Sequence, residues 1–134
     1  MENIGINMLL CDTNILIEVY KDNQAVIDTV KQIGQTNIAV SDVTCAELLY
    51  GSRNKAELKI FRKDLDKLTV LPISPEISKM AVQLVERYCL SHKLALPDAL
   101  IAATSIYYQV DFYTLNTKDF IFIPRVKLHP LNIF

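Results

Sequence analysis

The chain has 134 residues, of which 51% are hydrophobic and 22% charged, a composition typical of one globular domain rather than of a disordered or fibrous protein. Its formal net charge of −1 excludes attraction of a polyanion over the whole surface, so nucleic-acid binding would require a local patch or a bound metal ion. The apolar runs are far shorter than the roughly 20 residues that cross a bilayer, so no membrane-spanning helix is predicted.

The first half of the chain alternates predicted strands and helices. The apolar run at 8–11 predicts a buried strand that ends in polar residues, and a short helix is expected over 15–20. Helical spacing of apolar residues predicts a second helix over 23–33, and a second buried strand follows at 38–40. A helix over 43–50 is apolar almost all round and is therefore expected to be largely buried.

The second half continues the same alternation. The predicted elements are an amphipathic helix at 56–68, an edge strand at 70–73, helices at 75–90 and 98–108, strands at 112–115 and 126–128, and a turn at 116–120. Strands that alternate with helices indicate an α/β sandwich around a mostly parallel sheet. In such sheets ligands bind beyond the carboxyl ends of the strands.

Three acidic residues stand at positions where a site could form. Asp12 follows the first strand, and Asp98 lies in the first turn of a helix, so each could simply stabilise a helix N-terminus. Glu47 lies within the predicted apolar helix, where a buried carboxylate needs a partner. Its alternative is an edge position that reaches solvent.

Carboxylates gathered in one pocket repel one another, and a hard divalent cation with oxygen ligands usually compensates them. Mg²⁺ is the typical ion, and Mn²⁺ is the alternative. The corresponding chemistry is metal-assisted hydrolysis of a phosphodiester bond. Spacing alone leaves open whether Asp12, Glu47 and Asp98 converge.

Four blocks of sequence resemble the PIN-domain endoribonucleases, and in particular the VapC toxins of toxin–antitoxin pairs. The blocks are Asp-Thr-Asn-Ile-Leu at 12–16, Glu-Leu-Leu-Tyr-Gly at 47–51, Pro-Asp-Ala-Leu-Ile-Ala-Ala at 97–103 and Thr-Leu-Asn-Thr-Lys-Asp-Phe at 114–120. They occur in the family's order and span nearly the whole chain. The resemblance implies a single PIN-like three-layer sandwich, RNA hydrolysis that leaves a 3′-hydroxyl and a 5′-phosphate, a homodimer, and inhibition by a VapB-type antitoxin.

The resemblance also implies roles for individual residues. Asp12 and Asp98 would be the principal metal ligands, Glu47 the third acid, and the segment 116–119 the source of a fourth group. The residues that orient the carboxylates would be Thr13, Asn14 and Thr114.

The fourth group is left open between Asn116 and Asp119, which lie three residues apart and share a face if the segment turns helically. Asp119 is favoured for metal or water contact because an anionic oxygen serves a hard cation better than an amide does. Asn116 would then orient the site. The alternative for Asp119 is that it only caps a turn.

A basic stripe that includes Arg53, Lys55 and Lys59 could guide RNA, although a solvated helix face is the commoner explanation. Two readings compete with the nuclease: a PIN-like module that binds RNA or protein without cutting, and a receiver-like signalling domain. The receiver class expects paired acids after the first strand, whereas Asp12 stands alone there.

The cysteines and the N-terminus indicate where the protein works. Cys11, Cys45 and Cys89 have apolar neighbours and lack the spacing of a disulfide framework or a zinc site, so reduced core residues are expected. Residues 1–7 lack the basic flank and apolar run of a secretory signal. Both features predict a cytoplasmic protein.

Overall fold

The computed structural model describes residues 8–130. Its elements are β1 (Leu9–Cys11), α1 (Thr13–Tyr20), α2 (Gln24–Ile33), β2 (Ile38–Ser41), α3 (Asp42–Tyr50), α4 (Lys55–Leu65), β3 (Thr69–Leu71), α5 (Pro75–His92), α6 (Leu96–Tyr108), β4 (Asp111–Tyr113) and β5 (Lys127–Leu128), with 3-10 turns at Gln35–Asn37 and Thr117–Asp119. The predicted alternation of strands and helices is confirmed. The segment 1–7, for which no secretory signal was predicted, lies outside the described residues.

The five strands form one sheet in the order β3-β2-β1-β4-β5, and every pairing is parallel. Leu10 of β1 pairs with Ala39 of β2 on one side and with Phe112 of β4 on the other. β3 lies at an edge, as predicted from Pro72, which cannot donate a ladder hydrogen bond. β2 and β3 are added on one side of β1, and β4 and β5 then follow on its other side. The direction in which strands are added therefore reverses between β1 and β4, and this position is the topological switch point of the sheet.

Helices cover both faces of the sheet. Leu10 and its neighbours in the adjacent strands pack against α5 and α6, whereas Leu9 and Cys11 point the opposite way, towards α1 and α2. α3 and α4 pack on the Val40 side through Leu48 and Leu65. These three layers confirm the predicted sandwich. No helix among residues 8–130 is long and apolar enough to cross a membrane.

Two expectations about burial were wrong. α3 was expected to be largely buried, but Tyr50 is 94% exposed and Glu47 is exposed, which agrees with the alternative edge position of Glu47. One side of the helix packs on the core, with Thr44, Cys45 and Leu48 buried and Val43 and Leu49 partly buried. Cys11 and Cys45 are buried free thiols as expected, whereas Cys89 is free but half-buried on α5.

Candidate functional site

Asp12 lies at the switch point of the sheet. Its backbone N–H donates to the carbonyl oxygen of Tyr113 over 2.9 Å, which continues the β1–β4 ladder by one bond beyond the strands. Its side chain caps α1, because Oδ1 accepts from the N–H of Thr13 over 2.8 Å. Asp12 therefore has the structural role of an N-cap, and the same position brings its carboxylate to the carboxyl ends of two adjacent strands.

Two polar side chains hold the second oxygen of Asp12, whose exposed fraction is only 7%. The Thr114 hydroxyl donates to Asp12 Oδ2 over 2.8 Å, and Asn14 Nδ2 donates to the same oxygen over 3.4 Å. Asn14 also accepts from the N–H of Leu115, and Thr114 Oγ1 accepts from the N–H of Asn116. These contacts join the start of α1 to the segment after β4 and support the orienting role predicted for Asn14 and Thr114.

Glu47 reaches the same place from α3. The Thr13 hydroxyl donates to Glu47 Oε1 over 2.7 Å and lies 3.2 Å from the hydroxyl oxygen of Thr44. Thr13 has one hydroxyl hydrogen, which it donates to the Glu47 carboxylate. Its oxygen then remains free to accept a hydrogen bond from the hydroxyl of the fully buried Thr44. Thr44 was not among the predicted site residues. The signal was present, since Thr44 precedes Glu47 by three residues and shares its helix face.

Electrostatics shows that four acids lie close together. The pKa of Asp98 is raised to about 6, first by burial and then by the negative charges of Asp12, Asp119 and Glu47. Burial likewise raises the pKa of Asp12; the hydrogen bonds from Thr114 and the Thr13 backbone oppose this effect, and the charges of Glu47 and Asp119 add to it. The structure thus brings Asp12, Glu47, Asp98 and Asp119 into one acidic cluster.

The acidic cluster has no cationic partner among residues 8–130, where the ion pairs are Arg53–Glu57, Arg62–Asp66 and Lys67–Asp64. The described residues also contain no group of three His, Cys, Asp or Glu side chains close enough to form a ready-made metal site. Asp12 is buried and held in place, Glu47 is exposed and held at one oxygen by Thr13, and Asp119 is exposed. Burial, with a smaller contribution from the charge of Asp12, raises the pKa of the Cys11 thiol to about 12, so this neighbouring thiol is protonated in the protein without a metal ion.

The predicted RNA-guiding residues are only partly placed near the acids. Arg53 lines a cavity of about 410 Å³ together with Glu47, but its guanidinium pairs with Glu57 over 2.8 Å. Lys55 and Lys59 are exposed on α4 and form no ion pair within the described chain. No contact joins Lys55 or Lys59 to the acidic cluster in that part of the structure.

Comparison with known proteins places this arrangement in a family. A family model for the PIN domain matches residues 9–125. A chain of a toxin–antitoxin complex from Klebsiella pneumoniae is 31% identical, with a TM-score of 0.75 over 88% of this chain and 94% of that chain. A chain of VapBC2 from Rickettsia felis, bound to a promoter DNA fragment, is 26% identical, with a TM-score of 0.72 over 91% and 97%.

A chain of DNA-bound VapBC from Salmonella typhimurium is 20% identical and shares the fold, with a TM-score of 0.78 over 91% of this chain and 96% of that chain. Curated protein sequences gave no match. The resemblance that the four sequence blocks carried is confirmed, together with the PIN-like fold. The chain belongs to the PIN-domain family.

Proposed function

We propose that this protein is a Mg²⁺-dependent endoribonuclease and the toxin of a toxin–antitoxin pair. The observation that carries the proposal is the acidic cluster at the carboxyl ends of β1 and β4, where like charges and burial raise the pKa of Asp12 and Asp98. Acids without a cationic partner leave negative charge uncompensated, and a bound divalent cation would compensate it. The PIN-domain family and the toxin–antitoxin complexes among similar structures point the same way.

The donor set fits Mg²⁺, with Mn²⁺ as the alternative. All four side chains offer carboxylate oxygens, and Mg²⁺ is usually bound through one or two carboxylates while it keeps several waters. Asp12 and Asp98 are therefore the proposed principal ligands, with Glu47 and Asp119 as the adjustable groups. When bound, the ion would polarise the scissile phosphate and favour ionisation of an attacking water.

The protein's own residues supply position and negative charge. The bonds from Thr114 and Asn14 fix the Oδ2 side of Asp12, and the bond from Thr13 fixes one oxygen of Glu47. Both carboxylates keep lone pairs free for a further contact, because an ionised carboxylate can accept about four hydrogen bonds. These orienting contacts would keep two carboxylates aimed at one place before substrate arrives.

The proposed antitoxin, of VapB type, has a groove to occupy. Between α1, α3 and α4 lies the cavity of about 410 Å³. Its lining combines apolar and charged side chains: Ile17, Tyr20, Leu48 and Phe61 with Lys21, Glu47, Arg53 and Glu57. Tyr20 and Phe61 form its wall, with 4.8 Å between their ring centroids, and the Tyr20 hydroxyl donates to Asp64 over 2.6 Å. An antitoxin segment with apolar residues and one Arg or Lys would fill this groove and neutralise the carboxylates.

Cleavage of RNA by the purified protein tests the enzyme. Asp12→Asn and Asp98→Asn should each abolish Mg²⁺-dependent cleavage and growth inhibition, while Asp111→Asn, which changes an exposed acid at the start of β4, should leave both unchanged. Sequencing of the cleaved ends would identify the RNA target. Full cleavage by either cluster variant would refute the metal site, and RNA binding without cleavage by the unmodified protein would favour the non-cleaving module instead.

Growth and co-purification test the toxin role separately. The protein expressed alone should inhibit growth, and a small protein encoded beside it should bind it and relieve the inhibition. If expression of the protein alone does not inhibit growth and no small protein encoded beside it binds it, the toxin role is refuted. The proposed nuclease activity would not be affected by that result. The homodimer and the cytoplasmic location stay predictions, to be checked by sedimentation and by cell fractionation.

A further inference from the structure

Three aromatic rings meet where α5 ends, beside the segment that carries Asp119. The imidazole of His92 stacks on Phe122, with 3.9 Å between the ring centroids and 15° between the planes. Tyr88 packs edge-on against both rings, with its centroid 5.8 Å from that of His92 and 5.0 Å from that of Phe122. Tyr88, His92 and Phe122 are called the aromatic platform below.

The outer ring of the aromatic platform is available to a ligand. His92 is exposed although Phe122 covers one of its faces, so the other face of the imidazole contributes to the exposed area. A hydrogen bond of 2.7 Å between Ser91 Oγ and His92 Nδ1 restrains the rotation of the ring. A ring that is already held in place loses little conformational entropy when a flat ligand stacks on it.

The aromatic platform lies close to the acidic cluster along the chain. Phe122 follows Asp119 by three residues, and since an extended chain spans at most about 3.6 Å per residue, their Cα atoms lie within roughly 11 Å of each other. On the other side, His92 is joined to Asp98 by the short connection between α5 and α6. A substrate whose phosphate reaches the acids would therefore bring a neighbouring base to the platform.

Basic residues lie next to members of the aromatic platform and of the acidic cluster in the chain. Lys93 directly follows His92, Lys118 lies in the 3-10 turn beside Asp119, and both side chains are exposed without an ion pair within residues 8–130. The Arg87 guanidinium carbon lies 5.7 Å from the centroid of Tyr88. In the basic stripe Arg53 and Arg62 are paired with Glu57 and Asp66, whereas Lys55 and Lys59 are exposed without an ion pair within the described chain.

We propose that the aromatic platform binds an unpaired nucleobase of single-stranded RNA, next to the phosphate that lies at the acidic cluster. The inference rests on the proposed function and adds the place where the substrate is held. Proteins that bind single strands combine a positively charged path for the backbone with aromatic rings on which bases stack. His92 and Phe122 supply the rings, and Lys93 and Lys118 supply the charge.

Tryptophan fluorescence can report the stacking directly, because the chain contains no tryptophan. His92→Trp should be quenched when a short oligouridine is added in EDTA, where the RNA stays intact. Val82→Trp places the same reporter at a 62% exposed position of the same helix and should not be quenched. An abasic oligonucleotide of equal length should bind without quenching either variant. Equal quenching of both reporters, or of neither, would overturn the proposal.

Affinity gives the second measurement, by fluorescence anisotropy of labelled oligouridine. His92→Ala and Phe122→Ala should weaken binding about tenfold and His92→Phe should restore it, whereas binding of the abasic oligonucleotide should not change. In the cleavage reaction His92→Ala should raise KM and leave kcat nearly unchanged, since stacking on a base that does not react stabilises the bound substrate and the transition state equally. The His92→Phe variant separates loss of stacking from loss of folding.

The outcomes separate this inference from the proposed function. Absence of Mg²⁺-dependent cleavage while the platform variants still alter RNA binding would refute the nuclease alone. Normal RNA affinity of His92→Ala with intact cleavage would refute the platform alone. If His92→Ala weakened only the binding of the proposed antitoxin and left RNA binding unchanged, the aromatic platform would be a protein interface and the proposal would be wrong.

Discussion

The acidic cluster consists of two halves that the fold holds very differently. Asp12 is buried and accepts hydrogen bonds from Thr13, Asn14 and Thr114. Asp98 and Asp119 accept no hydrogen bond from the described part of the chain, and Asp119 is exposed. One carboxylate is thus fixed before any ion arrives, while the opposite side can adjust to it.

The difference follows from the elements that carry each half. Asp12 and Thr114 follow two adjacent parallel strands, so the ladder that pairs β1 with β4 also sets the distance between their side chains. Asp98 stands on α6 and Asp119 on a 3-10 turn, and no such ladder joins them. Burial nevertheless outweighs the hydrogen bonds at Asp12, because its pKa is raised and not lowered. A cation would relieve that remaining cost.

Among changes that leave all four acids in place, the largest effect is expected from removal of the hydroxyl that holds Asp12. Thr114→Val keeps the shape of the side chain but deletes the bond to Asp12 Oδ2, so Mg²⁺ affinity or cleavage rate should fall about 10- to 100-fold. Thr114→Ser keeps the hydroxyl and should retain most activity. The measurement is the cleavage rate as Mg²⁺ is titrated. An unchanged midpoint in Thr114→Val would mean that the fixed half needs no such support.

The adjustable half is tested by a comparison of Asp119→Asn with Asn116→Ala. Only Asp119 carries charge, so its neutralisation should weaken the apparent Mg²⁺ affinity about tenfold, whereas Asn116→Ala should lower the rate less. Both variants are compared over the same Mg²⁺ series. If Asp119→Asn keeps its rate and midpoint while Asn116→Ala loses them, the assignment is reversed and Asn116 supplies the fourth group.

A smaller effect should appear in stability without metal. The pKa of Asp98 is about 6 in the folded protein against an ordinary value of 3.8, so between these values the folded state keeps a proton that the unfolded chain releases. The free energy of unfolding therefore falls as pH rises through this window. Because Asp98 is only half-buried, solvent screening limits the loss to about 1 kcal/mol.

Asp98→Asn removes that loss, so in EDTA the variant should gain about 1 kcal/mol relative to the unmodified protein between about pH 4 and about pH 7. Urea unfolding at both pH values gives the difference. Asp111→Asn, which lies on the exposed end of β4, should follow the unmodified protein at both. A gain that is the same at the two pH values would show that Asp98 does not titrate in this window.

The sequence predicted the fixed half of the site better than its surroundings. A short apolar run that ends in Asp12 marks a strand and its carboxyl end, and such local signals suffice to place a residue at the edge of a parallel sheet. The exposure of Glu47 could not be predicted in the same way. An apolar helix can pack through one face or through all faces, and only the neighbouring elements decide which.

The aromatic platform was missed for a related reason. His92 has no second histidine at ligand spacing, so the sequence gives no signal of a functional role for it. Its partner Phe122 follows α6 and β4 in the sequence, whereas His92 precedes them. The two rings meet only in the folded protein. Contacts between residues so distant in sequence leave no periodic signal.

The smallest expected effect decides whether Glu47 belongs to the fixed half. The buried Thr44 is joined to Glu47 by hydrogen bonds through Thr13. Thr44→Val should remove the donor to Thr13 Oγ1 and lower the apparent Mg²⁺ affinity about threefold, less than the loss of a hydrogen bond to the carboxylate itself. Thr44→Ser restores the hydroxyl and should restore the affinity, which a purely structural role of the methyl group would not do. The Mg²⁺ midpoint of cleavage is measured for both variants in the Glu47→Gln background as well. If Thr44 acts through Glu47, its substitution should have no further effect there, because the charge that it positions is already gone. An equal threefold loss in both backgrounds would show that Thr44 affects the site by another route and that Glu47 is an adjustable ligand like Asp119.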